Sequence, residues 1–167
     1  MKRKLIAIGV GAAAVLGSLA VPGVAGAEER TCRGTIGART LDNVRVPPGA
    51  TCRLLGTRVK GTIKIENGGR LRAVEVRVVG NIQGEGHRRV VVLRSRVGGS
   101  IQLVQGREAV LRRNRVVGDI QLFTNRGREV VLRNRINGNL QCKENRPRPV
   151  GGFNVVGGNK EDQCRGL

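Results

Sequence analysis

Aromatic side chains are almost absent from this 167-residue chain, which contains no Trp, no Tyr and only two Phe. A core without aromatics must be built from Val, Ile and Leu, and this composition with 26 glycines favours strands over helices. Modules that recognise single-stranded nucleic acids stack the bases on aromatic rings. We therefore expect any contact with nucleic acid to be electrostatic and not sequence-specific.

Acidic residues are also scarce, because 12 Asp and Glu stand against 31 Lys and Arg, for a net charge of +19. Glycoside hydrolases need paired carboxylates, and calcium-dependent lyases need clustered ones. The acids beyond residue 30 are dispersed: Asp42, Glu66, Glu75, Glu85, Glu108, Asp119, Glu129, Glu144, Glu161 and Asp162. The single histidine, His87, lies in the segment GEGHRR and is expected to be an exposed loop residue. The sequence predicts a non-enzymatic protein without metal or cofactor, and a polysaccharide-active β-helix enzyme is the alternative.

The N-terminal segment has the three parts of a secretory signal peptide. Lys2, Arg3 and Lys4 form a positive start, residues 5–21 are apolar, and residues 25–27 form an Ala-x-Ala cleavage site. An uncleaved membrane anchor is the alternative. We predict a signal peptide over residues 1–27 and a mature domain over residues 28–167, with no further membrane span and a net charge of +16. The expected location is outside the cell or in the cell wall.

A seven-residue motif recurs along the chain, as VVGNIQG, VGGSIQL, VVGDIQL and INGNLQC. Its glycine returns every 19 or 20 residues, at Gly61, Gly80, Gly99, Gly118, Gly138 and Gly158. This period is too short for helical repeats and suits one turn of a β-solenoid with three short strands. We predict an all-β parallel β-helix of about seven coils, with right-handed winding preferred by the crossover rule.

Positions at fixed distances from the repeated glycine form columns of like residues. Apolar residues two after and two before the glycine are predicted to face inward: Ile63, Ile82, Ile101, Ile120 and Leu140, then Val59, Val78, Val97, Val116, Ile136 and Val156. The valines eight before it, Val91, Val110 and Val130, are expected to join them. The residues four positions before the glycine are short and polar: Ser95, Asn114, Asn134 and Asn154. They predict a ladder of hydrogen bonds between coils at a corner of the solenoid.

The four cysteines fit the coil spacing. Cys32 and Cys52 are one coil apart, and Cys142 and Cys164 are one coil apart with a small insertion. Equivalent positions in adjacent coils lie within disulfide reach. Of the three possible pairings, the solenoid favours Cys32–Cys52 and Cys142–Cys164, with one bond at each end.

The segment VVGDIQLFTNRGREVVLRNRINGNLQCKEN, followed by GGNKEDQC, resembles small secreted actinobacterial proteins with right-handed parallel β-helix repeats. The resemblance covers most of residues 31–167 and implies a fold without an activity. The Gly-x-Ile repeat is also similar to that of bactofilins, the polymer-forming cytoskeletal β-helices. A bactofilin-like polymer scaffold is therefore a further alternative, although the signal peptide and the cysteines depart from that pattern.

Residues between the inward columns are predicted to face solvent. Three before the glycine lie Arg58, Arg77, Arg96, Arg115 and Arg135, and five before it lie Arg94, Arg113 and Arg133. We predict that these two arginine columns share one sheet and bind anionic cell-wall or extracellular polymers, since guanidinium groups match phosphate and carboxylate geometry. A merely solvated basic face is the alternative. The glutamines three after the glycine, Gln83, Gln102, Gln121 and Gln141, are expected to hydrogen-bond to one another.

Overall fold

The computed structural model describes residues 28–167, and the predicted signal peptide lies outside these residues. The described chain is a β-solenoid of three parallel sheets without helices, as the repeat predicts. It therefore contains no helix of the length and hydropathy needed to cross a membrane. The predicted right-handed winding stays a prediction.

Each coil contributes one strand to each of three sheets, called A, B and C in the order in which the chain visits them. Sheet A contains the strands Glu29–Thr31, Asn43–Val46, Ile63–Ile65, Ile82–Glu85, Ile101–Val104, Ile120–Phe123, Leu140–Lys143 and Lys160–Asp162. Sheet B contains Gly34–Ile36, Thr51–Leu55, Arg70–Val74, Arg89–Leu93, Glu108–Arg112, Glu129–Leu132 and Val150–Gly152. Sheet C contains Thr40–Leu41, Arg58–Val59, Arg77–Val78, Arg96–Val97, Arg115–Val116, Arg135–Ile136 and Val155–Val156. Seven coils are complete, spanning 29–41, 43–59, 63–78, 82–97, 101–116, 120–136 and 140–156.

The aliphatic columns form the core, because parallel pairing places like residues directly above one another. Ile82 pairs with Ile101 and Ile101 with Ile120, and all three are fully buried. The prediction for Val91, Val110 and Val130 is wrong, because these valines face outward from sheet B and lie outside the core cluster, although Val91 is only 7% exposed. Their neighbours point inward instead: Val90, Val92, Ala109, Leu111 and Val131. Between these valines and the glycine the chain turns the corner from sheet B to sheet C, where Arg94, Arg113 and Arg133 have positive φ values. The alternation counted back from the glycine therefore does not continue into sheet B.

The repeated glycines are needed at the corner between sheets C and A because the coils approach closely there. A Cβ on Gly99 would overlap the Asn81 side chain, and a Cβ on Gly118 would overlap the Ser100 hydroxyl. These polar side chains accept backbone N–H groups of the next coil, as when the N–H of Ser100 donates to Oδ1 of Asn81 at 2.7 Å. A second polar ladder therefore lies at this corner, and only a glycine leaves room for it.

Both ends of the solenoid carry a disulfide bond. Cys32 is bonded to Cys52 and Cys142 to Cys164, with Cα–Cα distances of 5.5 and 5.2 Å. These are the pairings that the coil spacing favours. All four cysteines are buried, so the bonds join neighbouring coils within the core.

Candidate functional site

The first arginine column lies on the outer face of sheet C. Arg96 pairs with Arg77 on one side and Arg115 on the other, and the register continues to Arg58 and Arg135. Each of the five strands that carry these arginines is two residues long, with the arginine exposed and an aliphatic residue buried. The column is therefore straight, with one guanidinium group per coil at intervals of about 4.8 Å.

The second arginine column lies beside the first, at the corner between sheets B and C, and not within a sheet as predicted. Arg94, Arg113 and Arg133 have φ values of 48°, 56° and 56°, in the left-handed region. Such a conformation costs a non-glycine residue roughly 1 kcal/mol or more. Gly56 has the same conformation in the second coil, at φ 63°, so the corner geometry is common to several coils.

A groove separates the two arginine columns in the fourth, fifth and sixth coils. Its walls are the six arginines Arg94, Arg113, Arg133, Arg96, Arg115 and Arg135. Its floor is the polar ladder formed by Ser95, Asn114 and Asn134, which stand between the arginines in sequence. We call this feature the arginine groove. Arg58 and Arg77 extend one wall only, because Gly56 and Glu75 occupy the facing positions in their coils.

The floor of the groove is held rigidly by buried hydrogen bonds, as the ladder prediction requires. The backbone N–H of Ser95 donates to Oδ1 of Asn114, and that of Asn114 donates to Oδ1 of Asn134, both at 3.0 Å. Nδ2 of Asn114 also donates to the carbonyl oxygen of Val92 at 2.8 Å. A ladder that bonds each coil to the next fixes the spacing of the arginines on either side.

The groove carries a nearly uncompensated positive charge. Within residues 28–167, only Arg94 among its six arginines forms a salt bridge, to Glu75 at 2.9 Å. The other five have no carboxylate within salt-bridge distance in the described part of the chain. Like charges on adjacent strands repel one another, so an anion in the groove would relieve this repulsion.

The two ends of the groove differ in chemistry. Glu75 stands at the end nearer the N-terminus, where it pairs with Arg94. At the other end, the next coil replaces both arginines by apolar residues, Phe153 and Val155, which are 80% and 62% exposed. The guanidinium of Arg133 lies over the Phe153 ring, 5.6 Å from its centroid.

Comparisons with known protein families, with curated proteins and with solved structures find no match for this chain. The β-solenoid is observed directly in the structure, whereas the resemblance to actinobacterial β-helix proteins and to bactofilins stays a prediction. The function must therefore be argued from the groove itself.

Two further rows of basic residues lie where the chain passes from sheet A to sheet B, one at the corner and one at the start of the sheet B strands. The sequence reasoning missed both rows. One row is exposed and nearly continuous: Arg88, Arg107, Arg126 and Arg146. The other row consists of Arg70, Arg89, Arg128 and Arg148. It is interrupted by Glu108, which forms a salt bridge with Arg89 at 3.5 Å. The first row lies eleven or twelve positions before the repeated glycine. The columns that predict the fold begin only eight positions before it, so they do not include this row. Its existence supplies a matched control for the arginine groove.

The glutamine column on sheet A forms the expected amide ladder. Gln83 donates to Gln102 at 2.9 Å, Gln102 to Gln121 at 2.8 Å, and Gln121 to Gln141 at 2.8 Å. The last amide donates to Glu161 at 2.8 Å. This column therefore joins the coils to one another.

His87 is buried, and the prediction of an exposed loop residue is wrong. Its imidazole fills space that two glycines leave open, since a Cβ on Gly106 would overlap the ring and a Cβ on Gly84 would lie 3.3 Å from Nδ1. Neither ring nitrogen has a hydrogen-bond partner among the described residues. Burial lowers the pKa of His87 to about 4.

Glu129 is also buried, facing inward from sheet B between Ala109 and the following coil. Its Oε1 accepts a hydrogen bond from Nδ2 of Asn125 at 2.9 Å, and its Oε2 has no partner among the described residues. Burial raises the pKa of Glu129 to about 8, and the Asn125 bond opposes this only partly. The sequence predicts that Glu129 lies in a strand whose side chains alternate between the two faces. The pattern does not show that its carboxyl faces the core.

Two of the dispersed acids come together in the structure. Glu66 and Glu85 line one shallow groove on the outside of sheet A. Glu66 is already held by Nη1 of Arg45 at 3.0 and 3.2 Å. Among residues 28–167, no group of three or more His, Cys, Asp and Glu side chains is placed to hold a metal ion.

Proposed function

We propose that this protein is a secreted, non-enzymatic binding protein that holds anionic polymers in the arginine groove. The observation that carries the proposal is a pair of arginine columns that line one shallow groove, with a hydrogen-bonded polar ladder between them. Guanidinium groups donate paired hydrogen bonds to phosphate and carboxylate groups. A linear polyanion can therefore contact several coils at once without any conformational change in the solenoid.

The fixed spacing of the guanidinium groups favours a repeating ligand over a single anion. Successive arginines in one wall lie about 4.8 Å apart, so neighbouring anionic groups of one polymer can each meet an arginine. Docking would release counterions from both partners, and the affinity should fall steeply with salt. Phosphate polymers of the cell wall, extracellular DNA and acidic glycans share this chemistry. The two disulfide bonds suit a location outside the cytoplasm.

The decisive experiment compares two charge-matched double variants. Arg96→Gln/Arg115→Gln removes two wall arginines from the fourth and fifth coils, and Arg88→Gln/Arg107→Gln removes two exposed arginines from the same coils at another corner. Binding to a long inorganic polyphosphate would be measured by fluorescence anisotropy at low and high salt. We expect the affinity of the groove variant to fall at least about tenfold. The slope of log affinity against log salt concentration should decrease by the amount expected for the loss of about two phosphate contacts.

The matched control is expected to retain most of the parent affinity. Equal losses in the two variants would mean that net charge alone explains the binding and would overturn the groove proposal. Both variants should unfold at the parent temperature, because all four arginines are solvent-exposed. Release of reducing ends or unsaturated products from acidic polysaccharides would instead favour the alternative, a polysaccharide-active enzyme.

A further inference from the structure

We infer that the arginine groove receives an anionic amphiphile in one direction, with its charged groups between the arginines and its hydrocarbon part on Phe153 and Val155. This inference goes beyond the proposed function, because it adds a short amphiphilic ligand to the anionic polymers proposed above, and it rests on that function because it uses the same arginines. It starts from the chemical difference between the two ends of the groove. A ligand that carries the same charge along its whole length would gain nothing from such a difference.

The doubly walled part of the groove is short. It extends over three coils, from Arg94 and Arg96 to Arg133 and Arg135. Three coils place the first and last guanidinium groups about 10 Å apart, twice the strand spacing. Only two or three anionic groups in a row can therefore be held between both walls.

The end nearer the N-terminus attracts a continuing anionic chain less than the doubly walled part does, because only one wall continues there, through Arg77 and Arg58. Glu75 lies there and occupies Arg94 through a salt bridge at 2.9 Å. Beyond it the second wall has no arginine, since Gly56 takes the corresponding place. A ligand in the groove is therefore better accommodated if its charged end stops near Glu75.

The opposite end favours an apolar continuation. Phe153 and Val155 stand where the two arginine columns would continue, and both line the groove together with Arg133 and Arg135. They are among the few large apolar side chains that the described chain exposes. Arg133 covers one side of the Phe153 ring at 5.6 Å and so ties the apolar end to the cationic wall. A hydrocarbon group attached to the anion would lie on these side chains and leave water.

The chemistry of this surface therefore fits a phosphate- or carboxylate-bearing head joined to an alkyl or isoprenoid chain. Single molecules are favoured over a bilayer, because the part with arginines on both sides extends over only three coils, about 10 Å, which matches one head group. The test uses ethyl phosphate and octyl phosphate, which share one head group, below the concentration at which octyl phosphate forms micelles. Inorganic triphosphate serves as the purely charged probe.

We expect the parent to bind octyl phosphate at least about tenfold more tightly than ethyl phosphate, the factor expected if about two methylenes leave water. Phe153→Ser/Val155→Thr should abolish this advantage and leave triphosphate binding unchanged. The control Leu55→Ser/Val117→Thr removes two other exposed apolar side chains, 43% and 52% exposed, and should keep the advantage. Thermal unfolding of each variant checks that the fold is intact.

Three results would overturn the inference. In the first, octyl and ethyl phosphate bind the parent equally, while triphosphate still depends on Arg96 and Arg115; the proposed function then stands alone. In the second, Phe153→Ser/Val155→Thr lowers the affinity for triphosphate by the same factor as the affinity for octyl phosphate. The apolar pair would then act only through its effect on the arginines. In the third, only vesicles of anionic phospholipid bind, which makes the surface a membrane contact. If triphosphate and polyphosphate both fail to bind the parent, the proposed function itself is wrong.

Discussion

Asn125 donates a hydrogen bond from Nδ2 to Oε1 of Glu129 at 2.9 Å, inside the core of the solenoid. The same amide group donates to the carbonyl oxygen of Leu103 at 2.9 Å, and Oδ1 accepts the backbone N–H of Gly106 at 2.7 Å. The buried carboxyl is thus held by a side chain that also joins adjacent coils. Because only one of its oxygens has a partner among the described residues, Glu129 is far more stable there as the neutral acid.

The Glu129 carboxyl should make the folded state less stable as the pH rises from 4.5 to about 8. Its pKa is about 8 in the folded protein and 4.5 for an unperturbed glutamate, so its stabilising contribution is complete below pH 4.5 and is lost as the pH rises to about 8. The slope is about 1.4 kcal/mol per pH unit. Glu129→Gln keeps an acceptor for Asn125 and cannot ionise, so it should remove this slope. Chemical denaturation between pH 4.5 and 9 measures it, with the exposed Glu85→Gln as the control; equal slopes in parent and Glu129→Gln would contradict the argument.

The His87 imidazole should have the opposite effect in acid. Its pKa is about 4 when folded and 6.5 for an unperturbed histidine, so its contribution is complete above pH 6.5 and is lost as the pH falls to about 4. Between pH 4.5 and 6.5 this slope offsets that of Glu129, because one group gains stability with pH while the other loses it. His87→Phe keeps a ring between Gly84 and Gly106 and removes the titration. The difference in unfolding free energy between parent and variant should change with pH only below pH 6.5; a constant difference would mean that the imidazole is not protonated on unfolding.

The asparagine ladder beneath the arginine groove should contribute strongly to stability. Asn114→Ala leaves the buried N–H of Ser95 and the carbonyl oxygen of Val92 without their partners. Each such buried group costs about 1–3 kcal/mol, so we expect a loss of at least about 2 kcal/mol in the unfolding free energy. Asn137→Ala, at an exposed corner, is the matched control and should change it by less than about 0.5 kcal/mol. Similar losses for the two variants would show that the ladder adds nothing specific.

The repeated glycine should not tolerate a methyl group. A Cβ on Gly118 would overlap the Ser100 hydroxyl and lie 3.0 Å from the Gly99 backbone, although its φ is not in the left-handed region. Gly118→Ala should therefore cost about 1–3 kcal/mol by overpacking. Gly37→Ala is the control, because a Cβ there meets nothing within 4 Å. If Gly118→Ala unfolded at the parent temperature, close approach of the coils would not be the reason for the glycine.

The sequence by itself determined the solenoid, its disulfide pairs and the first arginine column. Parallel strands that pair in register repeat every side chain once per coil, so a spacing of 19 or 20 residues translates directly into stacking. Arg96 and Arg115 could be placed side by side for this reason, and Cys32 could be paired with Cys52. The asparagine and glutamine ladders follow from the same rule.

The tertiary structure alone decided which way the side chains turn beyond each corner. Val91 points outward and Arg94 lies in a left-handed turn, because the corners change the alternation that a straight strand would keep. His87 is buried because glycines in two other columns leave space for its ring, a relationship that no single column reveals. The meeting of Phe153 and Val155 at the end of the arginine groove arises likewise, since the last coil places apolar residues in positions that earlier coils give to arginine. Spacing along the chain fixes which residues stack, whereas corner geometry and the volume of neighbouring side chains fix what each stack faces.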